Sequence, residues 1–184
     1  EVENEHDHGI AILKNFVEKA KDLQREKADL SELCIGLKCG GSDGYSGLTA
    51  NPLVGKISDK IVAMGGSAIL TEVPEMFGAE QILMNQCENE EVFTRYKKMI
   101  EDFKAYYTTQ GFPVYENPSP GNKKGGITTL EEKSLGCIKK AGTSKLVDVL
   151  GYGDRVTKKG LSALNAPGND LIAATALAAS GCQI

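Results

Sequence analysis

The sequence has no apolar run that approaches the ~20 residues needed to cross a membrane. Its longest candidate, Leu171 to Ala179, is short and rich in alanine, which is typical of a packed helix. The chain opens with Glu1-Val-Glu-Asn-Glu, where a signal-peptide pattern is missing. These features predict a cytoplasmic protein without a membrane partner.

An excess of positive charge is also missing. The chain has 21 Lys and Arg against 25 Asp and Glu, for a net charge of −4. Its lysine pairs are scattered along the sequence and do not gather into a basic stripe. Because nucleic-acid-binding domains present a basic face to the phosphates, the charge pattern excludes a nucleic-acid partner.

Several enzyme signatures are absent as well. The two histidines, His6 and His8, lie in a polar terminus, so no Ser–His pairing is available. Neither a phosphate-binding Walker motif nor the dinucleotide-binding glycine fingerprint occurs. The five cysteines are odd in number and widely spaced. In a chain long enough to fold without disulfides, this usage predicts reduced thiols.

What the sequence does contain is an alternation of strand and helix patterns. Apolar runs predict strands at residues 33–37, 67–73 and 145–150. Helical spacing predicts helices at residues 10–27, 52–64, 78–87, 90–108 and 169–180, and another after Thr128. We therefore expect an α/β fold of three layers, with a mostly parallel sheet and helices on both faces. The architecture is Rossmann-like without the dinucleotide fingerprint.

Other segments have weaker patterns. Residues 158–167 are expected to be irregular, and residues 181–184 to form either the start of a fourth strand or a tight turn. Residues 1–7 are acidic and expected to be frayed. Since there is no internal repeat or low-complexity linker, we expect one α/β domain over residues 1–184. It consists of a helical lead-in, 1–30, and a core, 31–184.

A glycine-rich loop follows the first predicted strand, and we call residues 39–51 the opening loop. It carries Gly40, Gly41, Gly44 and Gly47, with Ser42, Asp43 and Ser46 between them. Glycines let backbone N–H groups turn toward an anion, and the next helix adds a partial positive charge. The loop is predicted to bind a ligand, the alternative being a plain strand-to-helix connection.

Two later segments are also rich in polar side chains. Glu72 and Glu75 end the second predicted strand, and a long polar loop at residues 114–127 contains Asn117, Asn122 and Lys123. Loops that follow parallel strands meet at one sheet edge, so the three segments are expected to converge on a crevice. Backbone N–H groups and lysines would hold a carboxylate, and Asp, Glu and Asn would hold hydroxyls. The residues alone predict a small-anion site.

A capping-box motif at the end of this loop predicts the start of a helix. Either Thr128 or Thr129 can cap the next helix, and Thr128-Thr-Leu-Glu131 has the spacing of a capping box, in which a threonine and a glutamate cap a helix together. It gives Glu131 a structural role and leaves Glu132 and Lys133 without one, except as residues of an exposed first turn.

Four motifs resemble the altronate/galactarate dehydratase family, a group that also includes sulfolactate sulfo-lyase large subunits. They are Cys39-Gly-Gly-Ser-Asp-Gly-Tyr-Ser-Gly-Leu-Thr-Ala-Asn-Pro, Glu72-Val-Pro-Glu-Met-Phe-Gly-Ala-Glu, Asn117-Pro-Ser-Pro-Gly-Asn-Lys-Lys-Gly-Gly-Ile-Thr-Thr-Leu-Glu-Glu-Lys-Ser-Leu-Gly and Ser180-Gly-Cys-Gln. The resemblance runs from about residue 33 to 184. It implies a metal-dependent hydro-lyase that converts a sugar acid to a 2-keto-3-deoxy acid. It also implies a fragment from the C-terminal region of a larger multidomain enzyme, inactive by itself.

The implied mechanism removes the proton α to a carboxylate and then expels the β-hydroxyl. Lys123, Glu132 and Lys133 are the candidates for base and acid, without further assignment. The candidates for substrate binding are Ser42, Asp43, Ser46, Glu75, Asn117 and Asn122. Metal ligation is assigned to Cys39 with Glu72 or Cys182, and thiolates favour a soft divalent metal, Fe(II) or else Mn.

Two alternatives stay open at this stage. A sulfolactate sulfo-lyase shares the carbanion step but expels sulfite, and these residues do not distinguish the leaving groups. The other alternative is a non-catalytic domain that binds a carboxylate or forms a dimer. Expected partners are a sugar acid, the remaining domains of the parent enzyme and, as an open alternative, a second copy in a homodimer.

Overall fold

The computed structural model of the chain describes residues 4–184, so residues 1–3 of the segment expected to fray lie outside the described part. Its strands are β1 (Cys34–Leu37), β2 (Ser67–Leu70), β3 (Leu146–Leu150) and β4 (Gly160–Leu164). Its helices are α1 (Glu5–Ala20), α2 (Ala50–Ala63), α3 (Glu80–Gln86), α4 (Glu90–Thr109), α5 (Pro120–Lys124), α6 (Leu130–Ile138) and α7 (Asp170–Ser180). Short 3-10 turns precede β1 and follow β2 and α6.

The four strands form one parallel sheet in the order β1-β2-β4-β3. Ser67 of β2 pairs with Cys34 of β1 on one side and Gly160 of β4 on the other. The central strands β2 and β4 are buried along their whole length. The predicted three-layer α/β fold is confirmed.

Alternate residues of β1 and β2 enter two different hydrophobic cores. Ile35 and Leu37 face the larger core, which α2, α3 and α4 cover. Cys34 and Ile69 face the smaller core, which is closed by Ala176 and Leu177 of α7. This follows from the two-residue period of a strand, and it places helices on both faces of the sheet.

Two predictions about local structure were wrong, and the structure decides between the two alternatives for the chain end. The segment expected to be irregular, residues 158–167, contains the central strand β4. The polar loop forms a short helix, α5, whose N-cap Ser119 accepts from the backbone N–H of Asn122. The chain end forms no strand: Gly181 turns it in a left-handed conformation, and two backbone hydrogen bonds then join Gln183 and Ile184 to β1. The tight-turn alternative is therefore the correct one there.

Helix α1 begins and ends earlier than predicted and contributes no buried residue. Leu13, Phe16 and Val17 are each about 60% exposed, so its apolar stripe packs against nothing in residues 4–184. None of the described helices is long and apolar enough to cross a membrane.

Helix α2 lies directly against the turn that follows α6. A Cβ at Gly55 would overlap the carbonyl oxygen of Lys139, so only glycine allows this approach. The contact is fastened by Asn51 Nδ2, which donates to Gly136 O at 2.9 Å, and by Ser58 Oγ, which donates to Ala141 O at 3.3 Å. Helix α6 and its following turn are thus held in a fixed position beneath the sheet edge.

Glu72 follows β2 in the left-handed backbone conformation, with φ of 69°. Its side chain is fully buried, and Oε2 accepts from Cys39 N at 2.6 Å and from Lys140 Nζ at 3.3 Å. A non-glycine residue at this φ costs free energy, which the buried contacts of the carboxylate must offset. The pair therefore connects the ends of β1, β2 and α6.

We expect Gly55→Ala to lower the free energy of unfolding by about 2 kcal/mol, since the added methyl group forces α2 away from Lys139. Urea unfolding of the chain measures this loss. Gly40→Ala is the matched control, because nothing lies within 4 Å of a Cβ there. Equal stability of the two variants would show that the close approach is not needed.

We expect Lys140→Met to lower the free energy of unfolding by about 3–5 kcal/mol, because the carboxylate of Glu72 is then buried without a counter-charge. The double variant Glu72→Gln with Lys140→Met should recover most of the loss. Lys145→Met, at an exposed lysine, serves as the control. A double variant no more stable than Lys140→Met alone would contradict charge burial as the cause.

Candidate active site

A cavity of about 440 Å³ opens at the carboxyl ends of the central strands. Pro74 and Glu75, after β2, form one wall, and residues 167–169, after β4, form another. The end of α4 and residues 112–119 complete it. Ligands of open α/β sheets bind at this edge, and the volume lies in the usual range for small-molecule sites.

Glu75 is the cavity residue whose carboxylate is held in place by two neighbouring side chains. Its Oε2 atom lies 3.1 Å from Lys133 Nζ and accepts from Cys137 Sγ at 3.2 Å. The other oxygen, Oε1, makes no hydrogen bond to any described residue, and a Cβ on Gly168 would lie 3.7 Å from it. One carboxylate oxygen is thus anchored, and the other is available at the cavity wall.

The two residues that anchor Glu75 come from buried positions of α6. Burial disfavours the ammonium of Lys133, but the neighbouring Glu75 carboxylate outweighs it and raises the pKa of Lys133 above its usual value. Burial raises the pKa of Cys137 to about 12. At neutral pH Lys133 is therefore a cation and Cys137 a thiol that donates to the carboxylate.

The expected convergence of the three polar segments is confirmed. In the opening loop, Cys39 N donates to Glu72, and Gly44 N donates to Gly125 O at 2.8 Å. Asn122 Nδ2 donates to Ser42 O at 2.8 Å, and its Oδ1 lies 3.4 Å from Lys133 Nζ. Asn122 thereby joins the opening loop to the lysine behind Glu75.

Three other predicted site residues are engaged in local turns. Asp43 Oδ1 accepts from the backbone N–H of Tyr45 and of Ser46 and from Ser46 Oγ, so both polar side chains stabilise the opening loop itself. Glu132 is exposed and accepts from the N–H and the hydroxyl of Thr128. The Thr128 backbone N–H lowers the pKa of Glu132, which opposes a role as a proton donor.

Of the two threonines predicted as possible caps of α6, Thr129 is the N-cap, and its hydroxyl accepts from Glu132 N at 3.1 Å. The capping box predicted for Thr128 and Glu131 was wrong. Glu132, rather than Glu131, reaches back across the first turn, where its carboxylate accepts from Thr128. Glu132 therefore has a structural role that the sequence did not indicate.

The remaining candidates lie in two different environments. Lys123 is exposed on α5, and its ammonium contacts neither Glu72 nor Glu75. Asn117 lines the cavity, and its Nδ2 atom is buried with no hydrogen-bond partner among the described residues. An unpartnered buried donor beside a cavity is suited to a ligand hydroxyl or carboxylate.

Of the three predicted metal ligands, Cys39 and Glu72 lie together and Cys182 lies apart from them. Cys182 Sγ lies 3.7 Å from Cys34 Sγ and packs with the α7 core, whereas Cys39 and Glu72 belong to the crevice. Within residues 4–184, no three Cys, His, Asp or Glu side chains are grouped to hold a metal ion. A cation at Glu72 would also adjoin the ammonium of Lys140. These residues do not fit a complete site for Fe(II) or Mn(II).

Sequence reasoning missed Cys137 and Lys140. Together with Lys133 they are spaced four and three residues apart, which places them on one face of a helix. That spacing was the available signal. The wall formed by residues 167–169 had no such signal in the sequence. Its position depends on β4, and the small residues of β4 do not form a recognisable strand pattern.

Comparison with known proteins shows the family to which the chain belongs. Residues 30–184 match the family model described as D-galactarate/altronate dehydratase, C-terminal. The chain is 62% identical over its whole length to altronate dehydratase of Bacillus subtilis (strain 168) and 54% identical over 99% of its length to that of Escherichia coli (strain K12). It is 41% identical over 95% of its length to galactarate dehydratase (L-threo-forming) of Escherichia coli (strain K12).

The chain spans only about a third of these relatives, namely 37%, 37% and 34% of their lengths. The family match covers the whole of the sheet, the cavity and the residues behind Glu75. The chain therefore belongs to the D-galactarate/altronate dehydratase family and corresponds to its C-terminal part.

Proposed function

We propose that this chain is the part of a sugar-acid hydro-lyase that removes the α-proton of an aldonate or aldarate, such as altronate or galactarate. The observation that carries the proposal is Glu75, with Oε2 held by Lys133 and Cys137 and Oε1 free at the cavity. Family membership supports the reaction class, and the anchored carboxylate supplies a base.

In the proposed mechanism Glu75 Oε1 takes the proton from the carbon next to the substrate carboxylate. The electron pair of that C–H bond forms a double bond to the β-carbon, and the bond to the β-hydroxyl breaks. The proton held by Glu75 goes to the departing hydroxide, which leaves as water, and the resulting enol tautomerises to the 2-keto-3-deoxy acid. The Lys133 cation behind Glu75 stabilises the negative charge that develops near it.

The metal that the resemblance implies is also part of the proposal. A divalent ion, Fe(II) or Mn(II), would supply Lewis-acid stabilisation of the negative charge that develops during proton removal. Because Glu72 and Glu75 are each already paired with a lysine, we propose that the ligands of the metal come mainly from the parent protein outside this chain. This also accounts for the expectation that the chain alone is inactive.

The alternatives from the sequence differ from this proposal in what leaves and in what binds. Desulfonation of sulfolactate would begin with the same proton transfer by Glu75 but release sulfite. A carboxylate-binding domain without catalysis would bind galactarate or altronate without converting it. Detection of the released product distinguishes all three.

We expect Glu75→Gln in the full-length protein to lower kcat for altronate or galactarate about 10²–10⁴-fold, because the amide cannot accept the α-proton. Formation of the 2-keto-3-deoxy acid measures the loss. Glu80→Gln is the matched control, since Glu80 also pairs with a lysine, Lys104, but lies outside the cavity lining. Near-normal turnover by Glu75→Gln, in protein that is folded by circular dichroism, would exclude Glu75 as the base.

We expect the isolated chain to retain no Fe(II) or Mn(II) after dialysis and to show no turnover, while the full-length protein retains metal. Elemental analysis of both, before and after chelation, measures the difference. Cys39→Ser in the full-length protein should leave the metal content unchanged. Stoichiometric metal in the isolated chain would contradict external ligation.

A further inference from the structure

The charged side chains that line the cavity are all acidic. Glu75 and Glu116 both line it, and within residues 4–184 its lining contains no Lys, Arg or His. A site for an anion would ordinarily carry a cation, so the arrangement of these two carboxylates matters.

The two carboxylates differ in whether a neighbouring cation balances their negative charge. The charge of Glu75 is balanced by Lys133, whose ammonium is buried 3.1 Å away. Glu116 is exposed, and its side chain makes no ion pair or hydrogen bond with any described residue. The uncompensated negative charge of the cavity is therefore that of Glu116.

The positions of the two groups orient a sugar acid. Its reacting carbon must lie at Glu75, beside Gly168 and Asn169 of the opposite wall. The rest of the substrate then extends along the cavity toward Glu116 and Asn117. Hydroxyls suit the unpartnered Nδ2 of Asn117, but a second carboxylate would meet the charge of Glu116.

We propose that Glu116 determines specificity by rejecting the far carboxylate of an aldarate while tolerating the neutral hydroxymethyl end of an aldonate. This inference rests on the proposed function and names the substrate class of that site. The cavity prefers acids with one carboxylate over those with two.

The test compares altronate with galactarate in the full-length protein by kcat/KM and, independently of turnover, by calorimetric binding. Glu116→Gln should shift both ratios toward galactarate by about tenfold, the scale of one unit charge at close range near a protein surface. Glu116→Lys should shift them further. Because Glu116 is exposed, raising the salt should shrink the preference of the unmodified protein.

Glu88→Gln is the control, since Glu88 is also exposed, without a side-chain partner among the described residues, and remote from the cavity lining. Ratios that stay unchanged in both Glu116 variants would overturn the specificity role. A protein that dehydrates neither acid would refute the proposed function, and the binding ratios would still decide the role of Glu116.

Discussion

Two lysine–glutamate pairs determine the geometry of the crevice. Glu72, Lys140 and Lys133 are buried, which would be prohibitive for any one of these charges alone, and Glu75 is partly exposed at the cavity. Each glutamate comes from the segment after β2, and each lysine comes from α6 or the turn that follows it. The crevice can exist only where these two segments meet.

This requirement explains why so much of the surrounding structure is devoted to fixing α6. Gly55 brings α2 against the end of α6, and Asn51 and Ser58 fasten the contact. At the other end, Thr129 and Glu132 cap the helix. A small shift of α6 would leave two carboxylates and two ammonium groups without partners. The contacts that fix α6 therefore keep both ion pairs intact.

Much of the fold could be predicted from the sequence because its local signals are strong. The strands β1, β2 and β3 and the helices α3, α4 and α7 follow from apolar spacing and from Gly and Pro boundaries. β4 could not, because Gly160-Leu-Ser-Ala-Leu has small residues and no alternation, as a strand buried on both faces allows. The adjacent threonines 128 and 129 offer two equally spaced caps, and only packing selects one.

The candidate site divides in the same way. Glu75, Asn117, Asn122 and Lys133 could be found because polar loops after parallel strands meet at one edge. The grouping of Cys182 with Cys39 and Glu72 failed because a sequence does not tell which face of the sheet a residue beyond α7 will reach. There it meets Cys34 instead.

Helix α1 differs from the other helices because it has no buried side chain. At 16 residues, with an apolar stripe and no buried side chain, it is close to the length at which an isolated helix is only marginally stable in water. Packing against the sheet domain contributes little to its helical order, because the domain buries none of its side chains. The helix should therefore melt independently of the sheet.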